Sequence, residues 1–439
     1  MKNTQKVLLR SAAPPAAGTP AHAGSAGVSS SSSSSAAAGS RVRRKLLSEA
    51  FELNSEEMSS MLTESSDFTV IGVLGAQGVG KSTIMSLLAG AQWSDSSDRD
   101  RCSLHEPTFP PQSAQTALRA AHQTSGIDFS VTPERLLLLD TQALLSPSVM
   151  LELQQQLQRR GDAQGPSAAD SPGSAESLVE LQSLRTVLLV LSVCHIVVCV
   201  HDAQSAAPSL RLLRTAQMLR HRIPDLSCLA LATPATATAT ASAAAAAAAA
   251  AATATATSVQ TPGADDSLAA SIMASEHSPR LAFVFNRQPE SAFQPDRLRV
   301  LHQILGRLFT NRATAAAVDK ATIDDKDNAS AGAPVAATAF AASAVAAPAE
   351  PMLFVLPEHS GGDTGDDVGG EGLHRAHLGF EAEALKTRDA LLAMRRGAFA
   401  KSLTEKDWWR GVQRVWELIR RSNLLAEYTK TVQKLHLYA

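Results

Sequence analysis

The chain has 439 residues, a formal net charge of −2 and only 4% aromatic residues. This near-neutral charge excludes a strong electrostatic attraction to nucleic acid, so we expect no direct nucleic-acid binding. No apolar run approaches the roughly 20 residues of a membrane helix, so we expect a soluble protein without a membrane partner. Four cysteines without metal-ligand spacing are typical of reduced, buried residues. We therefore expect a cytoplasmic protein, with the nucleus as a further location.

Low-complexity tracts divide the sequence into segments. Residues 1–45 are rich in Ala, Ser, Gly and Pro and predict a disordered tail. An α/β domain is predicted over residues 46–378, with disordered Ala-rich insertions at about 233–268 and 313–350. Residues 379–439 predict a C-terminal helical segment that packs on this domain.

A small basic cluster lies at the start of the predicted domain. It consists of Arg41, Arg43, Arg44 and Lys45. We interpret it as a solvated linker, with a nuclear-import or docking signal as the alternative. A short helix is predicted over residues 46–62.

The strongest pattern is TVIGVLGAQGVGKSTIMSLL, from Thr69 to Leu88. It reads as a buried strand, a G-x-x-x-x-G-K-S loop and a helix, the order that a phosphate-binding loop requires. Glycines let the backbone N–H groups wrap a polyphosphate, and the helix N-terminus adds its dipole. Lys81 is predicted to reach the outer phosphates and Ser82 to ligate Mg²⁺. The predicted nucleotide-binding residues of this stretch are Gly75, Gln77, Gly78, Val79, Gly80, Lys81, Ser82 and Thr83. The alternative is a glycine turn that binds nothing.

Two further residues are candidates for the Mg²⁺ shell beside Ser82. Thr124 lies in His122–Gly126, where GTPases carry a metal-binding threonine on the loop after the first helix; taken alone, such a threonine is usually only a loop residue. Asp140 ends the apolar run LLLLD, and an acid at the carboxyl end of a parallel strand can hold Mg²⁺ through water. A cap for the following turn is the alternative for Asp140. Ala143 stands where GTPases have the glycine of D-x-x-G, which puts switching and hydrolysis in question.

Helices and buried strands alternate along the next part of the chain. Helices are predicted over 144–160 and 177–189, a strand over 190–200, a helix over 209–221 and a strand over 281–285. His195 is interpreted as a packed core histidine.

The strand at 281–285 leads into Asn286-Arg287-Gln288-Pro289, where GTPases read guanine with [NT]-K-x-D. Asn286 is predicted to bind nucleotide, but the carboxylate that selects guanine is missing at Pro289. The expected cofactors are therefore a nucleoside triphosphate or diphosphate (ATP, or GTP or GDP) and Mg²⁺, with the base left open.

The C-terminal part reads as mainly helical. A helix is predicted over 296–309, a strand over 352–357, and helices over 380–399 and 404–437. Thr404 and Asp407 predict a capping box at the start of the last helix. Its aromatic residues, among them Trp408, Trp416 and Tyr428, are explained by an ordinary packed helix pair or by a surface that docks a partner.

Four segments together resemble the Smg-nine family of nonsense-mediated mRNA decay factors. They are FTVIGVLGAQGVGKSTIMSLLAG, TSGIDFSVTPERLLLLDTQALLSPS, VCHIVVCV and LTEKDWW…SNLLAEY. That family is similar to the dynamin-like large GTPases. The resemblance therefore implies a P-loop G-domain-like fold, with a mostly parallel sheet, helices on both faces and C-terminal helices.

The same resemblance implies partners. The family pairs with the related G-domain-like Smg-eight protein, and together they bind and restrain the phosphatidylinositol-kinase-like kinase that phosphorylates the decay helicase. Family members bind nucleotide without an established role for turnover. We therefore expect a regulatory scaffold that holds a nucleotide.

Two alternatives to this scaffold come from enzyme classes. An active dynamin-like GTPase or ATPase switch would use Thr124 and Gln142 around an attacking water. A small-molecule P-loop kinase would need an acceptor site and lid arginines, and the sequence has no pattern for either.

Overall fold

One seven-stranded sheet organises the part of the chain that the computed structural model describes. This part comprises residues 42–93, 104–163, 174–203, 205–220, 223–231, 277–309, 351–358, 379–397, 399, 401–425, 427–428 and 431. The predicted tail, apart from residues 42–45, and both predicted insertions lie outside the described residues.

The sheet has the strand order β1-β5-β6-β2-β7-β8-β9. Its strands are β1 (Arg44–Leu47), β2 (Thr69–Gly75), β5 (Ile127–Val131), β6 (Leu136–Thr141), β7 (Ile196–His201), β8 (Arg280–Gln288) and β9 (Met352–Pro357). The five strands from β6 to β9 run parallel, while β5 is antiparallel to both of its neighbours. Two short strands, β3 (Gln92–Trp93) and β4 (Leu104–His105), pair separately. The predicted α/β architecture with a mostly parallel sheet is confirmed.

Helices cover both faces of the sheet. They are α1 (Ser55–Met61), α2 (Lys81–Leu88), α3 (Ala114–Leu118), α4 (Pro147–Ala163), α5 (Ala175–Val193), α6 (Ala206–Arg220), α7 (Leu226–Leu231), α8 (Pro295–Phe309), α9 (Phe380–Leu392) and α10 (Glu405–Arg420). Among the described helices, none combines the length and apolarity that a membrane crossing needs.

Alternating residues along the strands belong to two hydrophobic cores, one on each face of the sheet. Val197 and Cys199 of β7 join the larger core with α5 and α10, while Val198 and Val200 join the smaller core with α2. Because successive side chains of a strand point to opposite faces, a fully apolar strand such as β7 must be covered on both. Strand β2, from which the glycine-rich loop starts, likewise contributes side chains to both cores and is therefore fixed from both faces.

Several predicted element boundaries are wrong. The helix predicted over 380–399 ends at Leu392, and the helix predicted over 404–437 ends at Arg420. Residues 46–62 do not form one helix: Leu46 and Leu47 belong to β1, and α1 begins only at Ser55. Both leucines are fully buried in the larger core, and β1 pairs with β5, so tertiary packing decides the conformation here. The apolar run from Val190 to Val193 is the end of α5, not strand, because an all-apolar run does not distinguish a buried helix from a buried strand.

The interpretation of the basic cluster as a solvated linker is wrong for two of its residues. Lys45 places its ammonium nitrogen 2.7 Å from Oδ1 of Asp128, and Arg43 lies 3.2 Å from Oδ2 of the same carboxylate. The Asp128 side chain is only 2% exposed. The two basic residues therefore neutralise a buried acid, whereas Arg41 lies outside the described residues.

Helix α10 fills the larger core. The predicted capping box of Thr404 and Asp407 is confirmed. Trp408 is fully buried and donates its indole N–H to the carbonyl oxygen of Val193 at 2.8 Å. Trp416 is also buried, and the hydroxyl of Tyr428 donates to Glu180. Packing within the domain thus accounts for these aromatic residues.

Candidate functional site

The glycine-rich loop between β2 and α2 needs its glycines. Gly78 and Gly80 have φ angles of +73° and +100°, a region that side chains with a Cβ rarely adopt. At Gly75, a Cβ would lie 2.2 Å from the carbonyl oxygen of Val200 on the next strand. The loop conformation therefore requires glycine at these three positions.

A pocket of about 230 Å³ opens above this loop. Its lining includes Ala143 and seven of the predicted nucleotide-binding or metal-binding residues, namely Gln77, Gly78, Gly80, Lys81, Ser82, Thr83 and Thr124. Gly75 and Val79 do not line it, because they form the buried base of the loop.

Lys81 is held inside the loop. Its side chain donates to the carbonyl oxygen of Ala76 at 2.8 Å, and the residue is 7% exposed. Burial lowers the pKa of Lys81 to about 8, while the charge of Asp140 opposes that shift. The ammonium thus lies at the pocket with a carbonyl as its partner, an interaction that a phosphate oxygen could replace.

The three predicted metal ligands converge beside the pocket, which Ser82 and Thr124 line and the buried Asp140 does not. Ser82 Oγ donates to Oδ2 of Asp140 at 2.7 Å, and Thr124 Oγ1 donates to the same oxygen at 3.1 Å. The two hydroxyl oxygens lie 3.5 Å apart. Residues from α2, from the segment before β5 and from the end of β6 therefore meet at one carboxylate.

Asp140 is 1% exposed, and its environment disfavours an isolated negative charge. Burial raises the pKa of Asp140 to about 6, and the charge of Asp128 adds to this shift. Lys81 and the two hydroxyl donors oppose it. Within the described residues, Oδ1 of Asp140 has no hydrogen-bond partner. This buried oxygen is free to bind a cation.

The donor set fits Mg²⁺. Hydroxyl and carboxylate oxygens are hard ligands, and Mg²⁺ is commonly held by one or two such groups plus substrate phosphates. Ser82 and Thr124 would have to turn their lone pairs toward the ion, which releases Oδ2 of Asp140 from its two hydrogen bonds. The orphaned Oδ1 is the observation on this chain that points to a cation.

Asn286 lies beneath the loop and not in the pocket. Its side-chain amide donates to the carbonyl oxygen of Val79 at 2.9 Å, and its oxygen accepts from the N–H of Arg287. Arg287 in turn donates to the carbonyl oxygen of Gly78 at 2.6 Å. Asn286 and Arg287, near the end of β8, therefore hold the backbone of the glycine-rich loop from below.

Gln142 points away from the pocket. Its Oε1 accepts from the N–H of Gly126 at 2.8 Å, and the side chain lines a separate small cavity with Phe51 and Val179. Ala143, in the position where GTPases have glycine, does line the pocket. The residue that the switch hypothesis assigns to an attacking water is therefore engaged with the backbone.

Sequence reasoning missed several residues of the site. Gln112, His122 and Gln123 line the pocket opposite the loop, and Asp128 lies beside Asp140 across the β5–β6 pair. His122 and Gln123 directly precede Thr124, so the motif that gave the threonine could have included them. Gln112 comes from an irregular segment with no periodic signal.

The chain is similar to curated proteins that share the name SMG9. It is 29% identical over 381 residues to nonsense-mediated mRNA decay factor SMG9 of Xenopus laevis, across 84% of this chain and 63% of that protein. The protein of the same name from Salmo salar is 27% identical over 387 residues, with the same coverage. Protein SMG9 of Drosophila melanogaster is 34% identical over 172 residues, which is 37% of this chain and 29% of that protein.

These relatives confirm the resemblance to the Smg-nine family over most of the chain. No protein-family model matches the chain. The chain spans less than two thirds of the length of the frog and salmon relatives.

Proposed function

We propose that this protein acts in nonsense-mediated mRNA decay as a regulatory subunit that holds a nucleoside diphosphate or triphosphate with Mg²⁺. The pathway follows from the names of its relatives. The observation that carries the nucleotide proposal is the convergence of Ser82, Thr124 and Asp140 beside the glycine-rich loop.

Each group of the site has a task in this proposal. Backbone N–H groups of the loop and the first turn of α2 would receive phosphate oxygens, and Lys81 would exchange its bond to Ala76 for one to the outer phosphates. Ser82, Thr124 and Asp140 would hold Mg²⁺, which neutralises phosphate charge when bound. The buried Asp140 then gains the counter-charge that its surroundings lack.

A P-loop G-domain-like fold belongs to the same proposal. Its support is the order of elements: the loop follows β2, Thr124 precedes the antiparallel β5, and Asp140 lies near the end of β6 beside β2. Asn286 and Arg287 support the loop from the end of β8. With Pro289 where a guanine-reading carboxylate would stand, both adenine and guanine nucleotides are compatible with the proposal.

We favour a held nucleotide over a hydrolytic switch. A switch needs a group that orients the attacking water, and the candidate Gln142 accepts a hydrogen bond from Gly126 instead. Bound nucleotide would then act by mass action, since a ligand that binds only the folded state stabilises it.

The partners follow from the family resemblance alone. We propose that the protein pairs with the G-domain-like Smg-eight protein in the cytoplasm. The pair would bind and restrain the phosphatidylinositol-kinase-like kinase of the decay pathway. Co-purification of the full-length chain with each of these two proteins tests this part separately.

Lys81→Ala tests the nucleotide proposal. The variant removes the charge that faces the outer phosphates, so we expect nucleotide occupancy to fall at least about tenfold, equivalent to about 1.4 kcal/mol of binding free energy. Protein purified with its partner is denatured, and the released nucleotide is identified and counted by mass spectrometry. The control is Lys386→Ala, since Lys386 is 59% exposed on α9 and pairs with Glu383. Equal occupancy in the Lys81 variant would refute the assignment of the loop.

A further inference from the structure

The segment Thr124–Gly126, which carries one of the candidate metal ligands, is held from two directions. We propose that Lys45 and Gln142 are positioning residues that fix this segment before nucleotide or metal binds. In this arrangement the Thr124 hydroxyl is in place whether or not a γ-phosphate is present. The inference rests on the proposed function, because it assumes that the site takes a Mg²⁺–nucleotide.

Gln142 holds the segment from the side of β6. The side-chain Oε1 of Gln142 accepts from the backbone N–H of Gly126 at 2.8 Å. The backbone N–H of Gln142 donates to the carbonyl oxygen of Gly126 at 2.7 Å. Both backbone groups of Gly126 are thus bonded to one residue. Since Gln142 follows β6 only two residues after Asp140, it ties the segment to the strand that carries the carboxylate.

Lys45 holds the segment from the side of β1. Its ammonium donates to the carbonyl oxygen of Ser125 at 2.5 Å and lies 2.7 Å from Oδ1 of the buried Asp128. The hydroxyl of Ser125 donates to Glu49 at 2.8 Å. The edge strand therefore anchors the segment through charge-assisted hydrogen bonds, which are the stronger kind.

Gly126 is wedged between these two supports. It has a φ of +61°, and a Cβ at this position would lie 2.1 Å from the carbonyl oxygen of Leu47 and 2.6 Å from that of Ser48. The backbone of Leu47 and Ser48 thus packs against the glycine, which Gln142 also hydrogen-bonds. The Thr124 hydroxyl, two residues away, remains within 3.1 Å of Asp140 as a result.

This arrangement has a consequence for ligand discrimination. In a switch protein the metal-binding threonine is ordered by the γ-phosphate, so loss of that phosphate releases the loop. Here folding has already ordered the segment. We therefore expect the Mg²⁺ concentration that gives half-maximal binding to be the same, within about twofold, for a diphosphate and a triphosphate.

The test measures Mg²⁺ dependence in the full-length protein bound to its partner and stripped of nucleotide. The probes are N-methylanthraniloyl-labelled ADP, ATP, GDP and GTP, titrated with MgCl₂ or with EDTA present. Gln142→Met and Lys45→Met should raise the half-saturating Mg²⁺ concentration about tenfold, the usual effect of losing a group that orients a metal ligand. Binding in EDTA should not change, because neither residue lines the phosphate pocket.

Conservative variants separate positioning from general damage. Gln142→Glu keeps an acceptor for the N–H of Gly126, and Lys45→Arg keeps a cation beside Ser125 and Asp128, so both should restore most of the Mg²⁺ affinity. Gln182→Met is the matched control: Gln182 lines the same small cavity as Gln142, and its side-chain oxygen has no hydrogen-bond partner within the described residues. It should bind Mg²⁺ like the wild type.

Amide hydrogen exchange of residues 120–130 gives a second readout that needs no ligand. In EDTA, the nucleotide-free wild type should protect the N–H of Gly126, Gln142→Met should remove that protection, and Lys81→Ala should keep it. Rapid exchange in the wild type, or unchanged Mg²⁺ dependence in both Met variants, would overturn the inference. If no labelled nucleotide binds the wild type while Gly126 is protected, the proposed function fails and the positioning of the segment stands.

Discussion

The surroundings of Asp140 oppose the ionisation of its carboxyl group, and this makes the stability of the folded protein depend on pH. Its pKa is raised from 3.8 to about 6 in the folded protein. Between these two values the folded state binds a proton that the unfolded chain has released. The contribution of Asp140 to the free energy of unfolding therefore falls as the pH rises from about 4 to 6, and above pH 6 the nucleotide-free protein bears the full cost of this buried charge.

Replacing Asp140 by Asn should reveal that cost. At pH 7.5 and without nucleotide or Mg²⁺, we expect Asp140→Asn to be more stable than the wild type by about 1–3 kcal/mol, since each pKa unit corresponds to about 1.4 kcal/mol. The difference should nearly vanish at about pH 3, below both pKa values, where the wild-type carboxyl is mostly protonated in both states. Urea unfolding at the two pH values measures it.

The same variant should lose Mg²⁺-dependent stabilisation, because a protonated or amide side chain cannot replace an ionised metal ligand. Asp296→Asn is the control, since that side chain is 90% exposed. A less stable Asp140→Asn protein at pH 7.5 would mean that the hydrogen bonds from Ser82 and Thr124 outweigh the burial of charge.

Sequence reasoning succeeded for site residues that share a local pattern. Lys81 and Ser82 follow from a fixed spacing, and Asp140 follows from a strand that ends in an acid. The contact between Lys45 and Asp128 was not predicted, because the two residues are 83 positions apart and meet only through pairing of β1 with β5. No local sequence pattern predicts such a pair.

At the scale of elements, helix α10 is anchored by its first residue. Glu405 is fully buried and accepts from the N–H and the hydroxyl of Thr63 at 2.7 and 2.9 Å. It also forms an ion pair with Arg135, from the turn between β5 and β6. A negative charge in the first helical turn is further favoured by the helix dipole. One carboxylate thus joins the start of α10 to two loops.

Glu405→Ala should destabilise the protein strongly. It leaves the N–H of Thr63 without its acceptor and Arg135, whose side chain is 28% exposed, without its counter-charge. Breaking a buried ion pair in this way costs about 3–5 kcal/mol. The matched control is Glu417→Ala on the same helix, where an exposed pair with Arg421 should contribute less than about 0.5 kcal/mol. Chemical unfolding compares the two, and equal losses would contradict the role of Glu405.

Helix ends were predictable where the cap lies in the sequence itself. Thr404 and Asp407 are three residues apart and form their capping box locally. The end of α5 was not predictable, because the residues on both sides of Cys194 are buried and mostly apolar. Only the sheet, which accepts Ile196 but not Val193, decides where the helix stops.

For the molecule as a whole, buried histidines set the response to acid. Nδ1 of His195 accepts from the N–H of Val70 at 2.9 Å, and burial is the largest cause that lowers the pKa of His195 to about 3. Burial likewise lowers the pKa of His201 to about 4. Both residues bind protons more readily in the unfolded chain, so their contribution to the free energy of unfolding falls as the pH drops below 6.5 toward 4, in the opposite sense to the contribution of Asp140.

His201→Phe should weaken that acid sensitivity. The His201 ring packs against Phe283 and Phe285, and its nitrogens have no hydrogen-bond partner within the described residues. Between pH 7 and pH 5 we expect the variant to lose about 1–2 kcal/mol less stability than the wild type. Unfolding curves at both pH values test this, with His105→Phe at an exposed site as the control. An unchanged pH dependence would show that His201 takes up no proton on unfolding.

The overall architecture was largely predictable, because buried strands and amphipathic helices alternate along the chain. The strand order was not, and in particular the contribution of residues 44–47 as an edge strand. Edge pairing depends on which backbone remains free after the other strands have assembled, and a single sequence does not record this.

The hydrogen bond from Trp408 to Val193 spans 215 positions in the chain. At a synthesis rate of about 5–20 residues per second, the ribosome needs roughly 10–40 s to make that intervening length. Throughout this interval the apolar side of α5 has no α10 to cover it. The nascent chain therefore exposes an apolar surface for much longer than hydrophobic collapse takes. We expect chaperones that bind nascent polypeptides to bind this surface.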